Sequence, residues 1–224
     1  MLANALAHKH NLPAPQYNHA NDFIGGPKDA VVYTQIPRLV SSHSIPPLFT
    51  PLLVKLSVCQ FPKYIVLIRD IRASLVSNYR KWQDRYAVDF SEFLRGDPAG
   101  KKFNSDIWWS IRFLNAWGQF QRHSKSKVLV VRYEQLLQNT VVELERINQF
   151  IELALTEQNI LHGVEAASKQ EMLSKADPER PPGEVNKKGV NVTSYFKSPD
   201  KRYFAEVCQT FLKYDFGYDY QQWL

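Results

Sequence analysis

The sequence predicts an α/β fold in which a short parallel sheet is flanked by helices. Two blocks of aliphatic residues, 65–68 and 128–131, are short, uninterrupted and rich in β-branched side chains, which is typical of strands covered on both faces in a parallel sheet. A long helical segment lies between them, and this spacing suits neighbouring parallel strands joined by a crossover. With 224 residues, 44% of them hydrophobic, the chain can bury a sizeable core, and we interpret residues 1–224 as a single domain.

The composition makes several classes of protein less plausible. The net charge of +6 and the isoelectric point near 9.2 favour anionic ligands, although the basic residues are spread along the chain. The only cysteines, Cys59 and Cys208, form no CxxC motif, so the sequence predicts neither a disulfide framework nor a zinc site. It contains no secretory leader pattern and no run of about 18 apolar residues. We therefore expect a cytoplasmic protein that binds no metal and no membrane.

The first 47 residues are predicted to form a helix, a loop and a short strand. Residues 1–11 have helical spacing of apolar side chains, and residues 11–28 are rich in proline, asparagine and histidine. The sequence Gly25-Gly26-Pro27-Lys28 is predicted to be a turn, because Pro27 has no N–H group and no helix follows to complete a phosphate-binding loop. Residues 37–47, PRLVSSHSIPP, are predicted to form a short strand that ends in a proline turn beside His43.

Residues 64–79, YIVLIRDIRASLVSNY, indicate a strand, an anion site and a helix. Arg69 follows the strand at its carboxyl end, where ligands bind in open α/β sheets and where a guanidinium can hold a phosphate or sulfate through two hydrogen bonds. Ser77 lies on the helix face opposite the apolar stripe, so we do not expect it in the core. The alternative is a surface arginine followed by a solvated serine.

The remaining segments supply further helices and the second strand. Asp106 is a predicted N-cap for a helix that is aromatic on nearly all sides and therefore largely buried. Tyr133 follows the second strand in KVLVVRYEQLL, residues 127–137. The other predictions are helices over 48–61, over 89–102 with a loop at its end, over 138–151, over 156–175 and over 200–213, and an aromatic tail over 214–223 that docks on the domain.

Taken together, these segments resemble the PAPS-dependent sulfotransferases. The R-x7-S spacing of Arg69 and Ser77 is similar to the family's 3′-phosphate-binding segment, and KVLVVRYEQLL is similar to VLxxxYEDL, whose tyrosine lies near the donor's adenine. The sequence VNKKGVNVTSYF, residues 185–196, resembles RKGxxGDWxxHF, which wraps the 3′-phosphate. The resemblance implies a P-loop NTPase/sulfotransferase-like three-layer fold. The donor-binding residues that it implies are Arg69, Ser77, Tyr133, Lys187, Lys188 and Gly189.

The same resemblance assigns a catalytic residue. PRLVSSHSIPP is similar to the family segment PRxxKTHLP, whose histidine is the general base, and this implies that His43 removes the proton from the acceptor. The alternative is a turn histidine that caps a backbone carbonyl. Ser41 stands where the family has a lysine, which removes a cation expected near the transferring sulfonate. Ser168-Lys169 stands where the family has a Ser-Phe pair, so the stacking of a phenylalanine on adenine is lost. For residues 187–189, the alternative is an exposed basic turn.

One family segment has no counterpart in this sequence. The loop resembling PKSGTT, whose amides and lysine cradle the 5′-phosphosulfate, is not found in the 224 residues. Two explanations stay open: the chain is N-terminally truncated relative to the family, or it has lost half of the donor site.

The resemblance predicts transfer of a sulfuryl group from PAPS to a hydroxyl or amine of a small-molecule or carbohydrate acceptor. No nucleic acid is expected as a partner, and a homodimer is allowed. The first alternative is a catalytically impaired remnant that binds 3′,5′-ADP weakly and transfers nothing. The second alternative is a nucleic-acid-binding module, whose affinity would fall steeply with salt and would survive loss of Arg69.

Overall fold

The computed structural model describes residues 1–15, 20–47, 61–168, 170–171 and 190–223. Short 3₁₀ turns occur at Ala20–Asp22 and Val192–Tyr195. The helices and strands of the described residues, numbered along the chain, are α1 Leu2–Lys9, β1 Ile24–Gly25, β2 Leu39–Val40, β3 Tyr64–Ile68, α2 Ile71–Tyr86, α3 Phe90–Arg95, α4 Ile107–His123, β4 Val128–Arg132, α5 Tyr133–Gln138, α6 Thr140–Ile151, α7 Glu157–Glu165 and α8 Ser198–Phe211.

Contacts between residues divide the chain into two compact units. The first unit combines Met1–Ser44 with Glu134–Lys187, and the second combines Ile45–Tyr133 with Lys188–Leu224. Each unit contains one pair of parallel strands, β1 with β2 in the first and β3 with β4 in the second. The interpretation of residues 1–224 as one domain stays a prediction.

In the first unit, α1 packs closely on α7. Gly163 in α7 makes this approach feasible, because a Cβ atom at this position would lie 2.8 Å from the Cβ of Ala5 and 2.8 Å from the carbonyl oxygen of Met1. The rings of His8 and His162 stack with their centroids 4.2 Å apart. The hydroxyl of Thr156 accepts a hydrogen bond from the amide of Asn159 and begins α7 with a capping box.

In the second unit, the core lies between the sheet and helices α2, α4 and α8. β3 and β4 run parallel with Tyr64 opposite Val128 and Ile68 opposite Arg132. Since side chains alternate along a strand, Val66 and Ile68 share one face, and both are buried in the main hydrophobic cluster. The parallel pairing predicted for the two aliphatic blocks is therefore confirmed, and with it the α/β fold class with short parallel sheets flanked by helices.

The prediction that β3 is covered on both faces is wrong at Leu67. This side chain is 52% exposed, although its partner across the strand pair, Val131, is only 1% exposed. The hydrophobic cluster formed with α2, α4 and α8 covers the face of Val66 and Ile68. The opposite face, which Leu67 shares with Val131, is covered at Val131 but open at Leu67. An aliphatic run by itself cannot distinguish one covered face from two.

Most other predicted elements are confirmed within the described residues. Two differ: α7 ends at Glu165 although the predicted helix spans 156–175, and β1 lies in the segment 11–28, which is predicted to be a loop. Asp106 caps α4 by accepting a hydrogen bond from the amide of Trp109, and the tail after α8 docks through Tyr218 and Tyr220, which are buried. The last helix spans Ser198–Phe211 and so begins two residues before the predicted start. The helix predicted over 48–61 lies, except for its last residue, outside the described residues.

Candidate active site

Arg69 and Tyr133 meet at the carboxyl edge of the β3–β4 pair. Each is the first residue after its strand, and the last strand residues, Ile68 and Arg132, lie opposite each other in the register. The guanidinium carbon of Arg69 lies 4.8 Å from the centroid of the Tyr133 ring, which is the distance of a cation–π contact. The structure therefore brings together two of the predicted donor-binding residues.

The positive charge of Arg69 is not neutralised by any described residue. Within the described part of the chain, its guanidinium forms no ion pair and no hydrogen bond, and its one side-chain partner is the Tyr133 ring. Arg69 is only partly exposed. A guanidinium carries five N–H donors, so this side chain keeps the full capacity to bind an anion through two parallel hydrogen bonds.

Arg72, three residues later, has the opposite environment. Its guanidinium binds the carboxylate of Asp70 with nitrogen–oxygen distances of 3.0, 3.1 and 2.5 Å, and Asp70 also accepts the backbone N–H of Arg72 as the N-cap of α2. Burial by itself would lower the pKa of the Arg72 guanidinium, but the hydrogen bond and charge of Asp70 raise the pKa above its ordinary value. Arg72 thus holds the start of α2 and is not free for a ligand.

The aromatic tail closes over the same helix start. The phenol oxygen of Tyr220 accepts a hydrogen bond of 3.1 Å from the backbone N–H of Ile71, and the Arg72 guanidinium lies 5.3 Å from the Tyr220 ring and 5.2 Å from the Trp223 ring. Burial raises the pKa of Tyr220, which keeps its phenol protonated. These contacts hold the turn that connects β3 to α2, and Arg69 lies in that turn.

Ser77 lies on the exposed side of α2. It is six residues after the first helical residue, Ile71, which places it about 9 Å further along the helix axis. Its neighbours Leu75 and Val76 are buried, whereas Ser77 is exposed, as the helical pattern predicts. Its hydroxyl has no hydrogen-bond partner among the described residues. A hydroxyl in this position is available to a ligand at the surface.

His43 belongs to the first unit, whereas Arg69, Ser77 and Tyr133 belong to the second. It follows β2 and is exposed, and its ring has no hydrogen-bond partner among the described residues. The adjacent Ser42 and Ser44 hydroxyls lie 2.6 Å apart. An exposed imidazole of this kind can exchange a proton with a bound molecule.

The turn predicted over residues 25–28 is confirmed at Pro27 and Lys28, whereas Gly25 belongs to β1. The backbone N–H of Gly26 donates to the Asp29 carboxylate over 2.7 Å, and the Asp29 amide donates back to the Gly26 carbonyl. The amide that a phosphate would need is therefore occupied by a carboxylate, which would also repel an anion.

Three predicted donor-binding residues, Lys187, Lys188 and Gly189, lie outside the described residues, as does Lys169. From Val190 onward the chain packs on the core of the second unit, which Val190 and Val192 contact. The rings of Tyr195 and of Tyr79 on α2 lie 6.5 Å apart.

Arg132 carries no role in the sequence predictions, yet its environment resembles that of Arg69. It ends β4, its guanidinium lies 4.4 Å from the Tyr218 ring, and its Nε atom is buried without a hydrogen-bond partner. The signal that could have found it is the one that found Arg69: an aliphatic strand that ends in an arginine.

Among the described residues, no group of three or more histidine, cysteine, aspartate or glutamate side chains could hold a metal ion. None of the helices in the described ranges combines the length and the apolar character needed to span a membrane.

Residues 25–212 match a family model described as the sulfotransferase domain. This range includes every predicted site residue from His43 to Gly189. No curated protein sequence matches the chain. Among solved structures, the fold is similar to the crystal structure of mouse sulfotransferase SULT7A1 complexed with PAP, with a TM-score of 0.60 and 21% sequence identity over 80% of this chain and 67% of that chain. At this level of identity the similarity shows the fold alone.

Proposed function

Because the chain belongs to the sulfotransferase domain family, we propose that it transfers a sulfuryl group from PAPS to an acceptor hydroxyl or amine. The observation that carries this proposal is the un-neutralised guanidinium of Arg69, stacked on Tyr133 at the carboxyl edge of the parallel strands. That edge is where open α/β sheets bind ligands. A small-molecule or carbohydrate acceptor, a homodimer and a cytoplasmic location stay predictions.

The donor site is proposed to be built around Arg69, Ser77 and Tyr133 of the second unit. Arg69 would hold the 3′-phosphate of PAPS through two hydrogen bonds, and the Ser77 hydroxyl would donate a further one. Tyr133 would lie beside the adenine and keep the Arg69 side chain oriented. Lys187, Lys188 and the amide of Gly189 would complete the phosphate site, with the lysines supplying charge and not the two-pronged geometry of arginine.

The transfer is proposed to proceed in line. The acceptor oxygen or nitrogen forms a bond to sulfur while the bond between sulfur and the 5′-phosphate oxygen breaks, and its electron pair leaves with PAP. His43 accepts the proton of the acceptor as the new bond forms. Ser41 supplies no positive charge beside the sulfonate, so other groups must stabilise the charge on the leaving oxygen.

A catalytically impaired remnant is the second candidate. The Gly26 amide is bound to Asp29, so the one glycine pair in the described N-terminal region cannot cradle the 5′-phosphosulfate. A remnant would bind PAP through Arg69 and Ser77 but would transfer nothing to any acceptor.

The donor site is tested by calorimetric titration with 3′,5′-ADP. We expect the wild-type chain to bind, and we expect Arg69→Gln to weaken binding at least tenfold, because a charge-assisted hydrogen bond contributes about 1.5–3 kcal/mol. Ser77→Ala should weaken it by about three- to tenfold. Arg122→Gln removes an exposed arginine at the end of α4 and is the matched control. Equal affinities for Arg69→Gln and the wild type would refute the site.

The reaction is tested by following the conversion of PAPS to PAP with a panel of hydroxyl and amine acceptors. For an active enzyme, His43→Asn should lower turnover by about 10²–10⁴-fold, the usual contribution of a general base, while 3′,5′-ADP affinity stays unchanged. His123→Asn, at the exposed end of α4, is the control and should keep full turnover. Binding of 3′,5′-ADP without turnover on any acceptor would favour the remnant.

A further inference from the structure

Arg132 presents a second un-neutralised guanidinium at the edge where Arg69 lies. Its position is fixed by the register, since it pairs with Ile68, the residue before Arg69. Within the described ranges it forms no ion pair and no hydrogen bond, and its Nε atom is buried without an acceptor. A buried, unsatisfied N–H of a charged group costs free energy unless a ligand or water satisfies it.

Two acidic side chains of the tail, Asp215 and Asp219, are hydrogen-bonded within the tail itself. Asp215 accepts the backbone N–H of Gly217 over 2.8 Å, and Asp219 accepts that of Gln221 over 2.9 Å. Both carboxylates therefore stabilise turns of the tail and form no ion pair with Arg132.

The tail shapes the surroundings of this guanidinium. The ring of Tyr218 covers one face of it at 4.4 Å, while Gly217 has a φ of +84° and a Cβ atom there would lie 3.4 Å from Nη1. A stacked guanidinium keeps its N–H donors along its edge, in the plane in which they bind phosphate oxygens.

We propose that Arg132 is an additional nucleotide-binding residue, which contacts a phosphate group of the donor at the edge shared with Arg69. This inference rests on the proposed function, because it needs a ligand with more than one anionic group, and PAPS carries a 3′-phosphate and a 5′-phosphosulfate. Two positive charges at neighbouring strand ends favour a polyanionic ligand.

The test compares 3′,5′-ADP binding by the wild-type chain, Arg132→Gln, Arg132→Lys and the control Arg122→Gln. We expect Arg132→Gln to weaken binding at least tenfold and to flatten the dependence of affinity on salt concentration, since one fewer charge faces the ligand. The affinity of Arg132→Lys should lie between those of the wild type and Arg132→Gln. Titrations with 3′-AMP and 5′-AMP then identify the phosphate, because only the ligand that carries it should lose affinity.

The outcomes separate this inference from the function on which it rests. If the wild-type chain does not bind 3′,5′-ADP, both are overturned. If it binds and Arg132→Gln binds equally well, Arg132 serves only to pack against Tyr218 and the inference alone fails. Should Arg132→Gln fail to fold, Arg132→Lys gives the decision at an unchanged melting temperature: weaker binding supports the inference, and unchanged binding overturns it.

Discussion

Arg69 and Arg72 are three residues apart and share a residue type, yet the structure gives them different roles. Arg72 is paired with Asp70 and stacked on two aromatic rings, so its charge is neutralised and stabilises the fold. Arg69 has only the Tyr133 ring, so its hydrogen-bonding capacity is unused. The presence of a counter-ion, and not the residue type, indicates which arginine can bind a ligand.

Tyr220→Phe tests the contact between the tail and the start of α2. The substitution leaves the backbone N–H of Ile71 without its acceptor, so we expect the free energy of unfolding to fall by about 1–3 kcal/mol. Affinity for 3′,5′-ADP should fall as well, since the turn that carries Arg69 loses a contact. Urea denaturation and calorimetry measure the two effects.

Tyr203→Phe is the matched control for this variant. Its phenol donates to the carbonyl of Arg95 over 3.2 Å, far along the chain from the β3–α2 turn, and the side chain is partly exposed. It should leave the affinity for 3′,5′-ADP unchanged. A loss of affinity of the same size in both variants would contradict the positioning role of Tyr220.

The packing of α1 on α7 depends on the absence of a side chain at Gly163. Gly163→Ala should lower the free energy of unfolding, because the new methyl group would lie 2.8 Å from Ala5 and from the Met1 carbonyl. Helix propensity alone predicts the opposite change, because alanine stabilises a helix by about 1 kcal/mol relative to glycine. The sign of the measured change in the free energy of unfolding therefore separates the two effects. Thermal and urea denaturation measure it.

Glu165→Ala is the control for the same helix, since Glu165 is exposed in the last turn of α7. Its stability should be unchanged or slightly higher, because a carboxylate near a helix C-terminus is unfavourable. A stabilising Gly163→Ala would show that the two helices can separate at no cost.

Helices α3 and α8 are joined by the carboxylate of Asp200, which is only 1% exposed. Burial alone would raise the pKa of Asp200, but hydrogen bonds from Arg95, Ser91 and the Lys197 amide bring its pKa below the ordinary value of 3.8. Because the folded-state pKa is the lower one, the ionised carboxylate stabilises the fold above the ordinary pKa. This contribution is lost as the pH falls through the folded-state value.

Asp200→Asn should therefore lower the free energy of unfolding at pH 7 by about 1–3 kcal/mol. It should also remove part of the loss of stability that the wild type shows below about pH 4. Denaturation series from pH 7 to pH 3 measure both effects. Asp84→Asn, exposed on α2, is the control and should keep the wild-type pH profile. If stability depended on pH in the same way in Asp200→Asn and the wild type, the proposed contribution of the Asp200 carboxylate would be contradicted.

The folded chain should be stabilised by an anionic ligand, 3′,5′-ADP. With a net charge of +6 and an un-neutralised arginine at the sheet edge, the folded chain should bind 3′,5′-ADP and the unfolded chain should not. At a concentration 100 times the dissociation constant, the stabilisation is about 2.7 kcal/mol, which corresponds to a melting temperature about 5–10 °C higher.

Differential scanning fluorimetry against 3′,5′-ADP concentration measures this shift, and 5′-AMP, which lacks the 3′-phosphate, should give a smaller one. An Arg69→Gln chain should show little shift at the same concentrations. A wild-type melting temperature that does not rise at any 3′,5′-ADP concentration would exclude the donor site.

The proximity of Arg69 and Tyr133 was predictable because both follow aliphatic blocks, and parallel strands place their carboxyl ends at one edge. The cap at Asp106 and the exposure of Ser77 were predictable from local pattern. The 52% exposure of Leu67 could not be predicted from the sequence, because it depends on which parts of the sheet the helices cover. Nor could the role of Tyr220, since it meets Ile71 across 149 positions of sequence.

By itself, the sequence determined strands β3 and β4, most of the helices and the two strand ends that carry arginines, because hydrophobic periodicity and capping are local properties of the chain. It also indicated the sulfotransferase family. Only the tertiary structure decided that Arg72 is paired and Arg69 is not, and that Arg132 shares the edge with an unsatisfied Nε. Asp70 lies only two residues from Arg72, but the ring partners of Arg69 and Arg132, Tyr133 and Tyr218, are distant in sequence. Folding alone brings such residues within the few ångströms over which these interactions act.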